Sequence, residues 1–134
     1  MERVALDTTF LIDLQNERRG RGKARGAIAF LQDHQSTELL LPSVALGEYL
    51  EGFADPVSDK EQELVSLLRI LPVTSDVARI YAATARTLRA KGRLIGTNDL
   101  WIACTAKTAG LPLVTRNGEH FKRVPGLVVV EYAK

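Results

Sequence analysis

Cysteine is almost absent from this chain of 134 residues, which contains one cysteine, Cys104, and two histidines. A single cysteine cannot form a disulfide within the chain, and it has no second thiol with which to share a metal ion. The sequence therefore excludes disulfide-stapled scaffolds and zinc fingers. It also indicates a protein of the reducing cytoplasm.

Long hydrophobic runs are also missing. The longest apolar runs, residues 70–73 and 127–130, are far shorter than the roughly 20 residues that a helix needs to cross a bilayer. The first residues lack the charged-then-apolar pattern of a signal peptide. We therefore expect neither membrane insertion nor secretion. The length and the 46% hydrophobic content are typical of a single folded domain over residues 1–134.

Neither sign of charge dominates, because 18 basic residues against 16 acidic ones give a net charge of +2. The basic residues are nevertheless clustered along the chain. Alone, each cluster is typical of a solvated surface, but together they are suited to follow a phosphate backbone. The loop cluster contains Arg18, Arg19, Arg21, Lys23 and Arg25, and the second cluster contains Arg86, Arg89, Lys91 and Arg93.

Short apolar segments alternate with longer stretches that have helical spacing. This alternation predicts an α/β fold in which helices cover both faces of a mostly parallel sheet, giving three α/β/α layers. The predicted strands are residues 3–6, 39–41, 70–73, 113–115 and 128–131, and the predicted helices follow residues 8, 26, 43, 58, 76 and 97.

Polar side chains are expected to cap these helices. Thr8 or Thr9, Ser43 and Thr97 precede helical patterns. Pro56 is expected to end one helix, and Ser58 with Glu61 has the spacing of a capping box for the next one.

Acidic and amide side chains follow several of the predicted strands. Because sites in parallel sheets lie beyond the carboxyl ends of the strands, Asp7, Asp99 and Asn117 are candidates. Asp7 could equally be a helix cap, and the helix dipole is expected to lower the pKa of Asp99. Glu48 lies away from the apolar face of its helix and competes with Glu51 for a role. These oxygen ligands suit Mg²⁺ or Mn²⁺, which would polarise a phosphate and activate water for phosphodiester hydrolysis.

Other chemistries fit the sequence less well. No Walker-type glycine loop follows a strand, His34 and His120 have no partner at metal-ligand spacing, and no nucleophile elbow is present. A phosphoryl-accepting receiver domain would need an aspartate at the end of the third strand, where Val73 and Thr74 stand. Cys104 is expected to lie in the core.

Four blocks of the sequence resemble the PIN-domain family and, within it, the VapC-type ribonuclease toxins of toxin–antitoxin pairs. They are VALDTTFLID at residues 4–13, the segment 42–52, GTNDLWIA at residues 96–103, and the segment 111–127 with its LPLVTRN start. The family acids of the first three blocks fall on Asp7, Glu48 and Asp99, which favours Glu48 over Glu51. Many relatives carry a fourth acid near Asn117, where this chain offers Asn117, Glu119 or His120.

The resemblance implies a Mg²⁺- or Mn²⁺-dependent endoribonuclease that acts as a homodimer on RNA and is silenced by a cognate antitoxin. Asp7 and Asp99 are then expected to bind the metal directly. Glu48 would bind it through water or orient the nucleophile, and Asn117 would assist. A housekeeping RNA-processing nuclease and a catalytically silent RNA- or protein-binding module are the alternatives.

Overall fold

A computed structural model describes residues 2–53 and 63–133 of the chain. The predicted helix end at Pro56 and the predicted capping box of Ser58 and Glu61 lie outside the described residues. The described elements are β1 (Arg3–Leu6), α1 (Thr8–Arg18), α2 (Ala27–Asp33), β2 (Glu38–Pro42), α3 (Ser43–Glu51), β3 (Arg69–Leu71), α4 (Ser75–Ala90), α5 (Thr97–Thr108), β4 (Leu113–Thr115), α6 (Gly118–Phe121) and β5 (Val129–Glu131).

The five strands form one parallel sheet in the order β3-β2-β1-β4-β5. Helices pack on the sheet to give the predicted α/β/α fold. The strand order reverses beside β1, which pairs with β2 on one side and with β4 on the other. A reversal of this kind opens a crevice at the carboxyl ends of the strands. The residue that follows β1, Asp7, lies at this position.

The core is built around the central strand. Val4, Ala5 and Leu6 of β1 are fully buried, as expected for a strand covered on both faces. Phe10 of α1 packs edge-on against Phe30 of α2, with ring centroids 5.6 Å apart. This packing fixes α1, which begins at the site edge of the sheet. None of the described helices is both long and apolar enough to cross a membrane.

The helix caps confirm one of the two alternatives at α1 and differ from the predictions at α3 and α5. Asp7, and not Thr8 or Thr9, caps α1. Ser43 and Thr97 are the first residues of their helices, after Pro42 and Gly96, which provide no side-chain cap. The strands β1 and β2 run so directly into their helices that Asp7, the residue after β1, and Pro42, the last residue of β2, occupy the cap positions.

The N-terminus of α2 is capped by a side chain of the preceding helix, Glu17. Gly26 has no side chain to offer, and the Glu17 carboxylate accepts hydrogen bonds from the backbone N–H groups of Ala27 (3.0 Å) and Ile28 (3.1 Å). Gly26 has φ of 105°, and a Cβ there would lie 2.6 Å from the carbonyl oxygen of Tyr132. Glycine is therefore required for α2 to start against the chain that follows β5.

Candidate active site

Asp7 is a buried carboxylate at the carboxyl end of the central strand. Its Oδ1 accepts from the Thr8 backbone N–H (2.8 Å), and its Oδ2 accepts from the hydroxyls of Thr9 (2.9 Å) and Thr115 (2.7 Å). Burial raises the pKa of Asp7 more than these hydrogen bonds lower it, and the nearby charge of Asp99 raises it further. Asp7 therefore caps α1 and also presents an anionic charge that the protein compensates only in part.

Glu48 is half-buried and tied to the start of α1. Its Oε1 accepts from the Thr8 hydroxyl (2.6 Å), and its Oε2 accepts from the Asn98 amide (3.3 Å). Its competitor Glu51 is exposed at the end of α3. The structure thus brings Glu48, which helical spacing placed away from the apolar face, to the same edge as Asp7.

Asp99 lies in the first turn of α5 and faces both other acids. Burial and then the charge of Glu48 raise its pKa, while His120, whose Nδ1 lies 3.7 Å from Asp99 Oδ2, lowers it only in part. The prediction that the helix dipole would lower this pKa is therefore wrong. Desolvation and the neighbouring carboxylate outweigh a dipole that acts within a single helical turn.

The three candidates for the fourth site residue, Asn117, Glu119 and His120, are all exposed. Asn117 is exposed at the N-terminus of α6, and its backbone N–H donates to the Thr115 hydroxyl (3.0 Å). Because that hydroxyl donates in turn to Asp7, Thr115 links the turn after β4 to the first acid. Glu119 extends into solvent, and His120 contacts Asp99. Asn117 is therefore linked to Asp7 by its backbone N–H group, through the Thr115 hydroxyl.

The three acids interact in pairs through Asp99. Asp7 and Asp99 repel each other, as do Asp99 and Glu48. Within residues 2–53 and 63–133, no three acidic, histidine or cysteine side chains converge closely enough to hold one ion between them. Two carboxylates with water completing the shell is the arrangement that Mg²⁺ commonly adopts. The all-oxygen donor set and its unrelieved repulsion fit a hard divalent cation.

A second polar network beside the site was missed from the sequence. Asp13 is buried in α1, and its Oδ2 accepts from Arg116 Nε (2.8 Å) and from the Tyr132 hydroxyl (2.6 Å). Burial and the Asp13 contact raise the pKa of Tyr132 above its ordinary value, so the phenol remains a donor. The only local signal is Asp13 itself, an acid among the apolar residues of α1, because its hydrogen-bond partners Arg116 and Tyr132 lie more than one hundred residues away along the chain.

The two basic clusters lie in different surroundings. In the loop cluster, Arg18 lies 3.9 Å from Glu63 and Arg25 lies 4.0 Å from Asp13. The second cluster lies at the end of α4 and in the loop before α5. Its four side chains are exposed and form no ion pair with any acid of the described chain. Arg123 Nη1 donates to the Leu94 carbonyl (3.2 Å) and ties this loop to the segment after α6. Five residues lie between Arg93 and Asp99 along the chain.

Two ribonucleases named VapC and VapC1 are similar in sequence to this chain. The ribonuclease VapC of Rickettsia bellii is 30% identical over 136 residues, covering 95% of this chain and 94% of that protein. Ribonuclease VapC1 of Haemophilus influenzae strain R2866 is 30% identical over 101 residues, 72% of this chain and 75% of that protein.

Solved structures share the fold. The VapBC-1 structure from nontypeable Haemophilus influenzae superposes with a TM-score of 0.81 at 27% identity, covering 98% of this chain and 99% of that one. VapBC2 from Rickettsia felis, bound to a promoter DNA fragment, superposes with a TM-score of 0.79 at 25% identity, covering 97% and 98%. The family model described as PIN domain matches residues 4–127, and the chain therefore belongs to the PIN domain family.

Proposed function

We propose that this protein is a divalent-metal-dependent endoribonuclease and the toxin component of a type II toxin–antitoxin pair. The observation that carries the proposal is the interaction of Asp99 with both Asp7 and Glu48 at one edge of the sheet, although the three acids come from the end of β1, the middle of α3 and the first turn of α5. Membership of the PIN domain family and the ribonuclease names of its relatives support the same reaction.

Each acid has a distinct role in this proposal. Asp7 and Asp99 hold the metal directly, because both are anions with repulsion that a cation would relieve. Glu48, fixed by Thr8 and Asn98, is half-exposed and orients the attacking water or accepts its proton. Asn117 assists from the turn after β4. When bound, Mg²⁺ or Mn²⁺ polarises a phosphate oxygen and makes water a better nucleophile.

The substrate and partners follow from the same assignment. RNA is the proposed substrate, and the unpaired basic cluster at the end of α4 would hold its phosphates near Asp99. We also propose a cognate antitoxin, since the VapBC structures that share the fold contain one. A homodimer, a cytoplasmic location and a single nuclease domain complete the proposal.

Cleavage by acid-to-amide variants tests the catalytic assignment. Asp7→Asn and Asp99→Asn are expected to abolish RNA cleavage while leaving the fold intact, because amides keep the shape but not the charge that attracts a cation. EDTA should stop RNA cleavage by the wild-type protein, and added Mg²⁺ or Mn²⁺ should restore it. Asp33→Asn, at an exposed position that ends α2, is the matched control. Undiminished, EDTA-sensitive cleavage by either folded site variant would show that the assignment is wrong.

Expression in cells tests the toxin assignment separately. The wild-type protein is expected to arrest growth, and co-expression of the adjacent small reading frame is expected to relieve the arrest. Expression of the Asp99→Asn variant should not arrest growth. Growth that continues normally with active wild-type protein would favour a housekeeping RNA-processing enzyme instead.

A further inference from the structure

Arg116 is attached to the site through its backbone. It directly follows Thr115, and its backbone N–H donates to the Thr9 hydroxyl at 3.4 Å. That hydroxyl donates to Asp7 Oδ2 at 2.9 Å. Two consecutive hydrogen bonds thus connect Arg116 to the first acid, and a movement of the turn after β4 would disturb both.

The side chain of Arg116 is fixed by a buried carboxylate, Asp13. Its Nε donates to Asp13 Oδ2 (2.8 Å), and the same oxygen accepts from the Tyr132 hydroxyl (2.6 Å). The Asp13 side chain is only 5% exposed, whereas that of Arg116 is 30% exposed. A buried ion pair adds little net stability, because desolvation offsets much of its attraction. Its stronger effect here is to fix the direction of a partly exposed guanidinium.

The charge of Arg116 is only partly neutralised by its carboxylate partner, Asp13. Arg25 Nε lies 4.0 Å from Asp13 Oδ1, so two guanidinium groups share one carboxylate. Arg116 lines an open cavity of about 300 Å³, together with Asn117, Gly118, Glu119, His120 and Glu131. The two acids of this cavity, Glu119 and Glu131, lie 4.0 and 3.7 Å from Lys122 Nζ, which offsets part of their charge.

We propose that Arg116 binds a backbone phosphate of the RNA next to the scissile bond, and that Asp13 and Tyr132 are positioning residues that hold it there. The inference rests on the proposed function, since it assigns a substrate contact to the same site. Three carboxylates repel a polyanion, and a fixed guanidinium at their border offsets that repulsion. Arginine suits the task because its planar donors match phosphate oxygens.

RNA binding can be measured without cleavage in an Asp7→Asn background, using fluorescence anisotropy with a short single-stranded RNA. Arg116→Gln is expected to raise Kd about tenfold, as loss of a hydrogen bond to a charged group predicts, and Arg116→Lys should show a smaller rise. Arg69→Gln, which removes an exposed charge from β3, is the control for net charge. In the active protein, Arg116→Gln should raise KM more than it lowers kcat.

A double-mutant cycle tests the positioning residues. Tyr132→Phe keeps the ring against Phe10 and should weaken RNA binding less than Arg116→Gln does. The double variant should bind no more weakly than Arg116→Gln alone, because Tyr132 acts through Arg116. Fully additive losses would show a merely structural role for Tyr132 and overturn that part of the proposal.

Failure of the Arg116 proposal and failure of the proposed function would give different results. If the wild-type protein cleaves RNA but Arg116→Gln and Arg116→Lys match Arg69→Gln in Kd and KM, the phosphate assignment is wrong and the nuclease assignment stands. If the wild-type protein shows no metal-dependent cleavage, the proposed function itself fails. Should Arg116→Gln not fold, Arg116→Lys and Tyr132→Phe carry the same comparison.

Discussion

The negative charge of Asp7 destabilises the folded chain, although its carboxylate accepts three hydrogen bonds. Burial raises its pKa beyond what Thr115, Thr9 and Thr8 can offset. A carboxylate in this condition destabilises the metal-free protein and gains most from a cation. The residue is therefore better explained by a ligand than by its capping role, for which asparagine would serve equally well.

Replacing Asp7 by asparagine should therefore stabilise the metal-free protein. A carboxyl whose pKa is raised on folding binds its proton more tightly in the folded state, so stability falls as the pH rises from the unfolded value of 3.8 through the folded value. Thermal unfolding in EDTA should give Asp7→Asn a higher Tm than the wild type at about pH 8, and a smaller difference at about pH 4. A difference that shrinks as the pH rises would contradict this account.

Glu48 and Glu51 lie on the same helix but differ in surroundings. Glu48 is bonded to Thr8 and Asn98, whereas Glu51 is exposed. Glu48→Gln should lower kcat by about 10²- to 10⁴-fold, the range for a lost general base, while Glu51→Gln stays within about twofold. Steady-state RNA cleavage measures both. Equal effects of the two variants would remove the basis for assigning Glu48.

At the scale of elements, Glu17 replaces the missing cap of α2. Its carboxylate accepts from two backbone N–H groups of the first turn and more weakly from Arg25. Glu17→Ala should lower the free energy of unfolding by about 1–3 kcal/mol, because those donors lose their partner. Urea unfolding, with Asp33→Asn as the neutral control, measures the change. A difference below about 0.5 kcal/mol would indicate that water replaces the carboxylate.

The elements could be predicted more completely than their contacts. The apolar runs predict all five described strands, with the bounds of β1 and β4 as observed and those of the other three within two residues. Asp7 was one of the predicted caps, whereas the predicted cap at Ser43 is wrong because β2 runs directly into α3 and Pro42 occupies the cap position. The bond from Thr8 to Glu48 joins residues 40 positions apart, and that from Tyr132 to Asp13 joins residues 119 apart. No local pattern encodes such pairs, and the site acids were chosen by resemblance to a family.

At the scale of the whole molecule, the loop cluster begins at the far end of α1, and only its last member, Arg25, returns to Asp13 beside the site. Helix α1 begins directly after Asp7 and has 11 residues, so Arg18 at its end lies roughly 16 Å from Asp7, at a rise of about 1.5 Å per residue. The cluster at the end of α4 is joined to α5 by a short loop that ends beside Asp99. RNA bound at the acids is therefore expected to contact the α4 cluster first.

The salt dependence of RNA binding distinguishes the clusters. Each phosphate contact to a single strand contributes roughly 0.7 to the slope of log K against log salt. Replacing the four basic residues of the α4 cluster by serine should therefore reduce the slope by up to about 3. The matched variant, with Arg18, Arg19, Arg21 and Lys23 replaced, should change the slope much less. The opposite order would place the RNA along the loop cluster.

The central claim is that distant acids meet at the sheet edge to hold a hard divalent cation. A crystal structure of the protein with Mn²⁺ tests this most directly, because anomalous scattering locates the ion independently of activity. The account predicts a peak at about 2.1 Å from carboxylate oxygens of Asp7 and Asp99, with Glu48 in contact with the ion or its water. At saturating Mn²⁺, a peak elsewhere or an empty edge between Asp7 and Asp99 would contradict it.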